Sequence, residues 1–439
     1  MELSAFSTLR VAACDLNGQM RGKRLPGRSG AKLQGGAVRM PLSALNLDLW
    51  GADIEGSPLL FDSGDADGVL LPTERGAVPM PWLDKPSALV PLWMHHDDGS
   101  AFAGDPRHAL ARVQARFAAR GWQAMAGTEL EFTLVDDSAA ALAHPAHPQT
   151  GRPLAGEAIL SIRQIDAFDA FFSDLYAGAE AMGIPAQATI SESGIGQFEV
   201  NLTHQPLMRA ADDAWLFKAL VKGTARRHGL AGTFMAKPFE DDAGNGMHVH
   251  LSVRDTEGRN VFDDGGLAGT ALLHQAIAGC LAAMPASTLI FAPHLNSYAR
   301  LVPGSHAPTA AVWAYENRTA AVRVPGGAPS ARRIEHRAAG GDVNPYLLLA
   351  AVAGAALDGI DAGLSPPDPV TGNAYDVPGA PALAPDLTSA MDAFAADPAI
   401  ARIFPPLLID NLCRTKRQEL RRFAAQEPEM HWKTYLEAV

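Results

Sequence analysis

Four short stretches of this chain place acids and histidines where they could act together. In "AGTELEF", residues 126–132, Glu129 and Glu131 stand two apart in an otherwise apolar run. If that run is a β-strand, both carboxylates point to one face. Two like charges held side by side and indoors require a cation between them. Glu192 closes "AQATISE" and Glu199 lies in "QFEVNLT". His248 and His250 share a face with Ser252 in "GMHVHLSVRD", and Arg333, Glu335 and Arg337 do so in "RRIEHR". Gathered around one sheet, five glutamates and a histidine make an oxygen-rich, nitrogen-poor set. That set suits Mg²⁺ or Mn²⁺ rather than zinc. A single strand glutamate is ordinarily just solvated; four coincident sets with apolar flanks argue for a site.

The arginines point the same way. Arg300, Arg318, Arg323, Arg332, Arg333 and Arg337 fall within 38 residues, with Glu316 and Glu335 the only acids among them. Guanidinium forks match phosphate oxygens and neutralise charge that develops in a transition state. Competing templates are absent: no G-x-x-x-x-G-K-[ST] loop, no H-E-x-x-H, no G-x-S-x-G elbow, and "GIGQFE" is only a fragment of G-x-G-x-x-G. The arginines could also form a basic surface strip, but phosphoryl transfer on a metal–carboxylate sheet is the leading chemistry.

The elements that must position these residues come next. A chain of 439 residues predicts about two domains. Its 47% hydrophobic and 19% charged content is that of a folded soluble protein. A net charge of −12 argues against nucleic acid or an anionic membrane as partner. Cys14, Cys280 and Cys413 are scattered, which excludes a disulfide framework and suggests a reducing cytoplasm. "MELSAFSTLR" lacks the pattern of a signal peptide, and the longest apolar run, Leu347 to Leu357, is too short to span a membrane. The expected location is the cytoplasm.

The first hundred residues, rich in Gly, Pro and Asp, read as strands and turns. "GDPRHALARVQARFAARG" (104–121) reads as a helix capped by Asp105, opened by Pro106 and ended by Gly121. The predicted division is therefore 1–103 and 104–439. Beyond it, strands are expected at 122–135, 186–192, 197–203, 231–238 and 246–255, with extended pieces at 318–324 and 332–337. Helices are expected at 166–183, 212–229, 268–284 and 344–362 and in the C-terminal tail. A His/Pro/Gly loop is expected up to about residue 160, and a Pro/Gly loop over 363–385. The mixture predicts an α+β fold with a mainly antiparallel sheet carrying polar residues on one face.

At this point the chain resembles the glutamine synthetase family (type I-like). "GTELEF", "SESGIGQFEVN", "GNGMHVHLS", "RLVPG", "NRTAAVRVP" and "ARRIEHR…NPYLLLAA" follow that family's order at similar intervals. The resemblance implies an N-terminal β-grasp-like domain and a catalytic domain with a curved antiparallel sheet. It implies an ATP-dependent activation of the glutamate γ-carboxylate to γ-glutamyl phosphate, which an amine then attacks. One metal would be held by Glu131, Glu192 and Glu199, a second by Glu129, His248 and Glu335. Arg300, Arg337 and Gly244 would bind the glutamate substrate. Arg318 resembles the arginine that stabilises the transferring phosphoryl group. His250, Ser252, Arg323 and Arg333 would bind ATP. The family also implies a homo-oligomer, a dodecamer of two hexameric rings in this length class.

Two departures bear on the amine. Ammonia-using members carry Tyr-Glu in the loop after "RLVPG", where this chain has Ser305 and His306. A neutral imidazole attracts ammonium less than a carboxylate does. The "DGSS" motif is missing, and "DLNGQMRGKRLP", "GDADGVLLP" and "RAAGGDVNPY" resemble the γ-glutamylpolyamine synthetase branch. The expected substrate is thus an organic amine, with His306 either its base or a space-filler in a catalytic loop. An ammonia-using synthetase is the alternative. A catalytically silent relative is a third reading, although the metal ligands and Arg318 are all present. Tyr375, at the position adenylylated in some bacterial relatives, reads as an exposed, unmodified loop residue.

Overall fold

The computed structural model describes residues 3–154, 156 and 159–439. Part of the predicted loop up to residue 160, at positions 155, 157 and 158, lies outside the described residues. Six strands form an N-terminal sheet: β1 (Thr8–Cys14), β2 (Met20–Pro26), β3 (Arg39–Pro41), β4 (Asp67–Pro72), β5 (Val78–Pro79) and β6 (Ser87–His95). Their order is β2-β1-β6-β4-β3, with β5 also beside β6. Only β1 and β6 run parallel.

Eight strands form the second sheet: β7 (Gln123–Val135), β8 (Ala186–Ser191), β9 (Gln197–Pro206), β10 (Ala231–Thr233), β11 (Met247–Arg254), β12 (Trp313–Tyr315), β13 (Val322–Val324) and β14 (Ile334–His336). The order is β12-β13-β14-β11-β7-β9-β8, with β10 also beside β7, and every pair except β12–β13 is antiparallel. The α+β mixture expected from the sequence is what forms.

Strict alternation sorts the long strands into two faces. On β7, Leu130, Phe132 and Leu134 are fully buried, and on β9 and β11 the same holds for Phe198, Val200, Met247, Val249 and Leu251. Helix Leu207–Arg227 packs against this apolar face. Helix Pro345–Asp361, buried along almost its whole length, lies behind it. That second helix meets Ala271–Ala283 at Gly279 and Gly359, where a Cβ on Gly279 would stand 2.1 Å from the Ala355 carbonyl oxygen. Only glycine lets two helices approach so closely.

The predicted helix punctuation holds at 104–121: the Asp105 carboxylate accepts from the Arg107 N–H at 2.8 Å, Pro106 opens the helix, and Gly121 takes φ +69°. Several predicted bounds change. The helix expected over 166–183 is two, Ile162–Ala167 and Asp169–Met182, because Phe168 leaves the helical path to bury its ring. The strand expected at 231–238 ends at Thr233, and that at 318–324 spans only Val322–Val324. There the Asn317 side chain accepts from the Thr319 N–H at 2.9 Å, making a turn that carries Arg318. Glu192 lies just past the end of β8. No helix of the described residues is long and apolar enough to cross a membrane.

Candidate active site

Strand register builds the polar face. Glu131 on β7 stands opposite Glu199 on β9, and Glu129 opposite His248 on β11. His250 pairs with Glu335 on β14, which in turn faces Arg323 on β13. Five strands thus bring residues more than 200 positions apart into one patch. Glu192 enters from the β8–β9 turn, where its N–H donates to the Gln197 carbonyl at 3.0 Å.

Glu129 is the centre of the patch. One of its oxygens lies 2.8 Å from His248 Nδ1 and the other 2.8 Å from His250 Nε2. Arg333 Nε donates to His250 Nδ1 at 3.0 Å, so His250 carries its proton on Nε2, toward Glu129. With its Nδ1 facing Glu129, His248 turns Nε2 toward Glu131, 4.0 Å away. Such a carboxylate-oriented imidazole is a good metal ligand. Glu335, fully buried, accepts from Arg337 at 2.5 Å and Arg323 at 2.7 Å. Glu131 accepts the Gly246 N–H at 2.6 Å and lies 3.4 Å from Gln197 Nε2.

These surroundings split the carboxyls. Burial pushes Glu129 up, but the two histidines outweigh it and hold it far below the usual range. Glu335 is also lowered, because His248, Arg337 and His250 overcome its burial. Glu192 is pushed up to about 7 by burial and by the charge of Glu131. Glu199 is pushed up to about 9 by burial, then by Glu129, Glu131 and Glu192. In both, burial and neighbouring carboxylates outweigh the cations and donors nearby, and a divalent cation would offset that crowding. The donor set therefore fits a hard cation. Two trios have ligand atoms within 4.8 Å of one another: Glu129, Glu199 and His248, and Glu129, His250 and Glu335. Both differ from the grouping implied by the resemblance. They share Glu129, the second takes in His250, and both leave Glu131 and Glu192 outside.

Two flanking regions complete the geometry. A cavity of about 430 Å³ is lined by Glu129, Asn201, His250, Ser252, Arg332 and Arg333. On the other side, Arg300 is buried and donates to the Ala338 carbonyl at 3.0 Å. It packs so close that a Cβ on Gly246 would come within 2.7 Å of its Nη2, and one on Gly244 within 3.1 Å of its Cγ. The buried Nε atoms of Arg323 and Arg337 have no hydrogen-bond partner among the described residues. Arg318 is exposed on its turn, near enough to Glu192 to oppose that residue's upward shift. His306 is exposed on the loop after Arg300 with φ +60°.

Tyr375 corrects the sequence reading. It is not an exposed loop residue: it is half-buried, and its hydroxyl donates to the Ala307 carbonyl at 2.9 Å. Gln197 and Asn201 were also missed. Both share the Glu199 face by strand alternation, and that spacing was the available signal. Nothing local announced Tyr375.

Residues 103–435 match the family described as glutamine synthetase, catalytic domain. The gamma-glutamylputrescine synthetase PuuA of Escherichia coli (strain K12) is 36% identical over 375 residues, covering 84% of this chain and 79% of that protein. A glutamine synthetase of Halobacterium salinarum is 32% identical over 452 residues, covering 100% of this chain and 95% of its own. The solved structure titled "Apo GmaS without ligand" superposes with a TM-score of 0.84 at 28% identity, over 99% of this chain and 97% of the other. A catalytic-domain match over most of the chain, a sheet face that gathers carboxylates, histidines and arginines, and full-length relatives agree: the chain belongs to the glutamine synthetase family of ATP-dependent ligases.

Proposed function

We propose that this protein joins the γ-carboxylate of glutamate to an organic amine, using ATP and passing through γ-glutamyl phosphate. The observation that carries the amine over ammonium is the loop after Arg300. It presents Ser305 and an exposed His306 where ammonia-using members resemble one another in carrying a glutamate. The likeness to a γ-glutamylputrescine synthetase supports the same reading.

In this proposal Glu129, Glu131, Glu192, Glu199, His248 and Glu335 hold two Mg²⁺ or Mn²⁺ ions, with His250 close to the second. Bound there, such ions neutralise and align phosphate oxygens. The chain's own residues do the rest. His250, Ser252, Arg323 and Arg333 hold ATP beside the 430 Å³ cavity. Arg300 and Arg337, with Gly244, hold the glutamate carboxylates. Arg318 neutralises charge on the phosphoryl group in flight. Glu129 keeps His248 oriented, and the Gly246 N–H holds one Glu131 oxygen in place.

We also read residues 1–103 as a β-grasp-type domain, 104–439 as the catalytic domain, and the assembly as a cytoplasmic homo-oligomer of two hexameric rings. Light scattering tests the assembly directly. An ammonia-using synthetase is the second reading, favoured by the Halobacterium relative that covers the whole chain.

Phosphate release from ATP, Mg²⁺ and glutamate decides between them. It is measured with ammonium, putrescine, spermidine, ethanolamine, methylamine and aniline in parallel, with mass detection of the product. Turnover with an organic amine and little with ammonium is the expected result. Turnover with ammonium alone sinks the proposal.

A further inference from the structure

The loop that carries His306 is held from outside the polar sheet face. Ser305 Oγ donates to the Arg300 carbonyl at 2.8 Å and accepts the Ala307 N–H at 3.3 Å. Ala307 is itself buried, and its carbonyl takes the Tyr375 hydroxyl at 2.9 Å. His306 stands between these two anchors in the left-handed region, which is uncommon for a residue other than glycine.

Tyr375 in turn belongs to a segment fastened at several points. The Trp313 indole donates to the Pro367 carbonyl at 2.7 Å, and Asn317 Nδ2 to the Gly372 carbonyl at 2.7 Å. The Ala374 N–H donates to Thr319 Oγ1 at 3.0 Å, while Ala311 and Leu383 pair with Pro381 and Thr309 through the backbone. Ala374 is buried with Val312, Ala314 and Ala320. Segment 366–384 therefore crosses over 307–320. It grips the residues on both sides of Arg318 and ends one side chain, Tyr375, on the His306 loop.

We propose that segment 366–384 is a strap and that Tyr375 is its positioning residue for amine selection. The Tyr375 hydroxyl, donated to Ala307, fixes where His306 stands and so which amines the loop admits. This rests on the reading of that loop as the amine-side wall. Two further observations fit it. Arg300 and Arg337 both bear on the Tyr375 phenol, which places it at the edge of the same site. Burial holds that phenol above its ordinary pKa, so it remains a donor throughout the working range.

The Tyr375→Phe variant of the full chain tests this in two independent ways. Amide hydrogen exchange is expected to quicken over 300–307 and to stay unchanged on β7, β9 and β11; unchanged exchange over 300–307 overturns the strap whatever the enzyme does. In steady-state kinetics with the amine the wild type accepts, the amine KM is expected to rise about fivefold, the worth of one net hydrogen bond. The KM values for glutamate and ATP are expected to stay within about twofold. A glutamate KM that rises by the same factor marks a general structural role and overturns selection by Tyr375. So does an unchanged amine KM in a variant whose loop exchanges faster. Wild-type silence on every amine removes the ligase reading and the selection role together, while quickened exchange still upholds the strap.

Discussion

Two of the polar clusters buried among the described residues differ in the company their carboxylates keep. Where helix Pro406–Ala424 meets the N-terminal sheet, Lys416 Nζ lies 2.5 Å from Asn17 Oδ1 and 2.9 Å from Glu419 Oε2. The other Glu419 oxygen accepts from Asn17 and from the Leu49 N–H. Asp48 nearby takes Arg422 at 2.5 Å, Gln418 at 2.9 Å and two backbone N–H groups. On the polar face of the second sheet, Glu131, Glu192 and Glu199 crowd together instead. Burial pushes both Glu419 and Glu199 up. Around Glu419, Lys416 and Asn17 pull it back; around Glu199, three more glutamates push it further. A cluster that supplies its own counter-charge is a structural joint. One in which glutamates raise one another's pKa offers a donor set that fits a divalent cation.

Lys416→Met strikes the joint and leaves Glu419 buried without its cation. A loss of about 3–5 kcal/mol in urea unfolding is expected, with phosphate release per folded molecule unchanged. If stability stays put, the joint is not what it is taken to be. Glu335→Ala or His248→Ala strikes the site, and phosphate release is expected to fall by about 10²–10³. Near-normal turnover in either variant removes the metal assignment.

The pH response separates the clusters further. Glu192 and Glu199 have folded-state pKa values above their unfolded ones, so the folded form binds the extra protons. Metal-free stability therefore falls as pH rises from about 5 toward 9, on the order of 1 kcal/mol per pKa unit per group. Adding Mg²⁺ or Mn²⁺ at pH 8 is expected to restore the melting temperature and release protons. Glu199→Gln is expected to flatten the metal-free profile; a profile that is flat in the unmutated protein contradicts the crowding. The smallest effect is on selectivity. His306→Glu is expected to raise the ammonium-to-amine rate ratio by up to about fivefold, the worth of one partly exposed charge. An unchanged ratio takes that loop out of the specificity account.

Local periodicity decided more of this protein than pairing did. Alternation along 123–135, 197–206 and 247–254 put Glu129, Glu131, Glu199, His248 and His250 on faces opposite Phe132, Phe198 and Val249, because a strand's side-chain direction depends only on its own backbone. Asp105–Pro106 and Gly121 marked a helix for an equally local reason. Which strands lie side by side was not local. The register that sets Glu131 against Glu199 and His250 against Glu335 follows from burying one apolar face against helix Leu207–Arg227. That packing also shared Glu129 between two candidate cation trios, broke the helix at Phe168, and laid segment 366–384 across the His306 loop. Tyr375 shows the limit most clearly. Its surroundings read as a Pro/Gly loop, and only a contact across 68 positions of chain turns it toward the site.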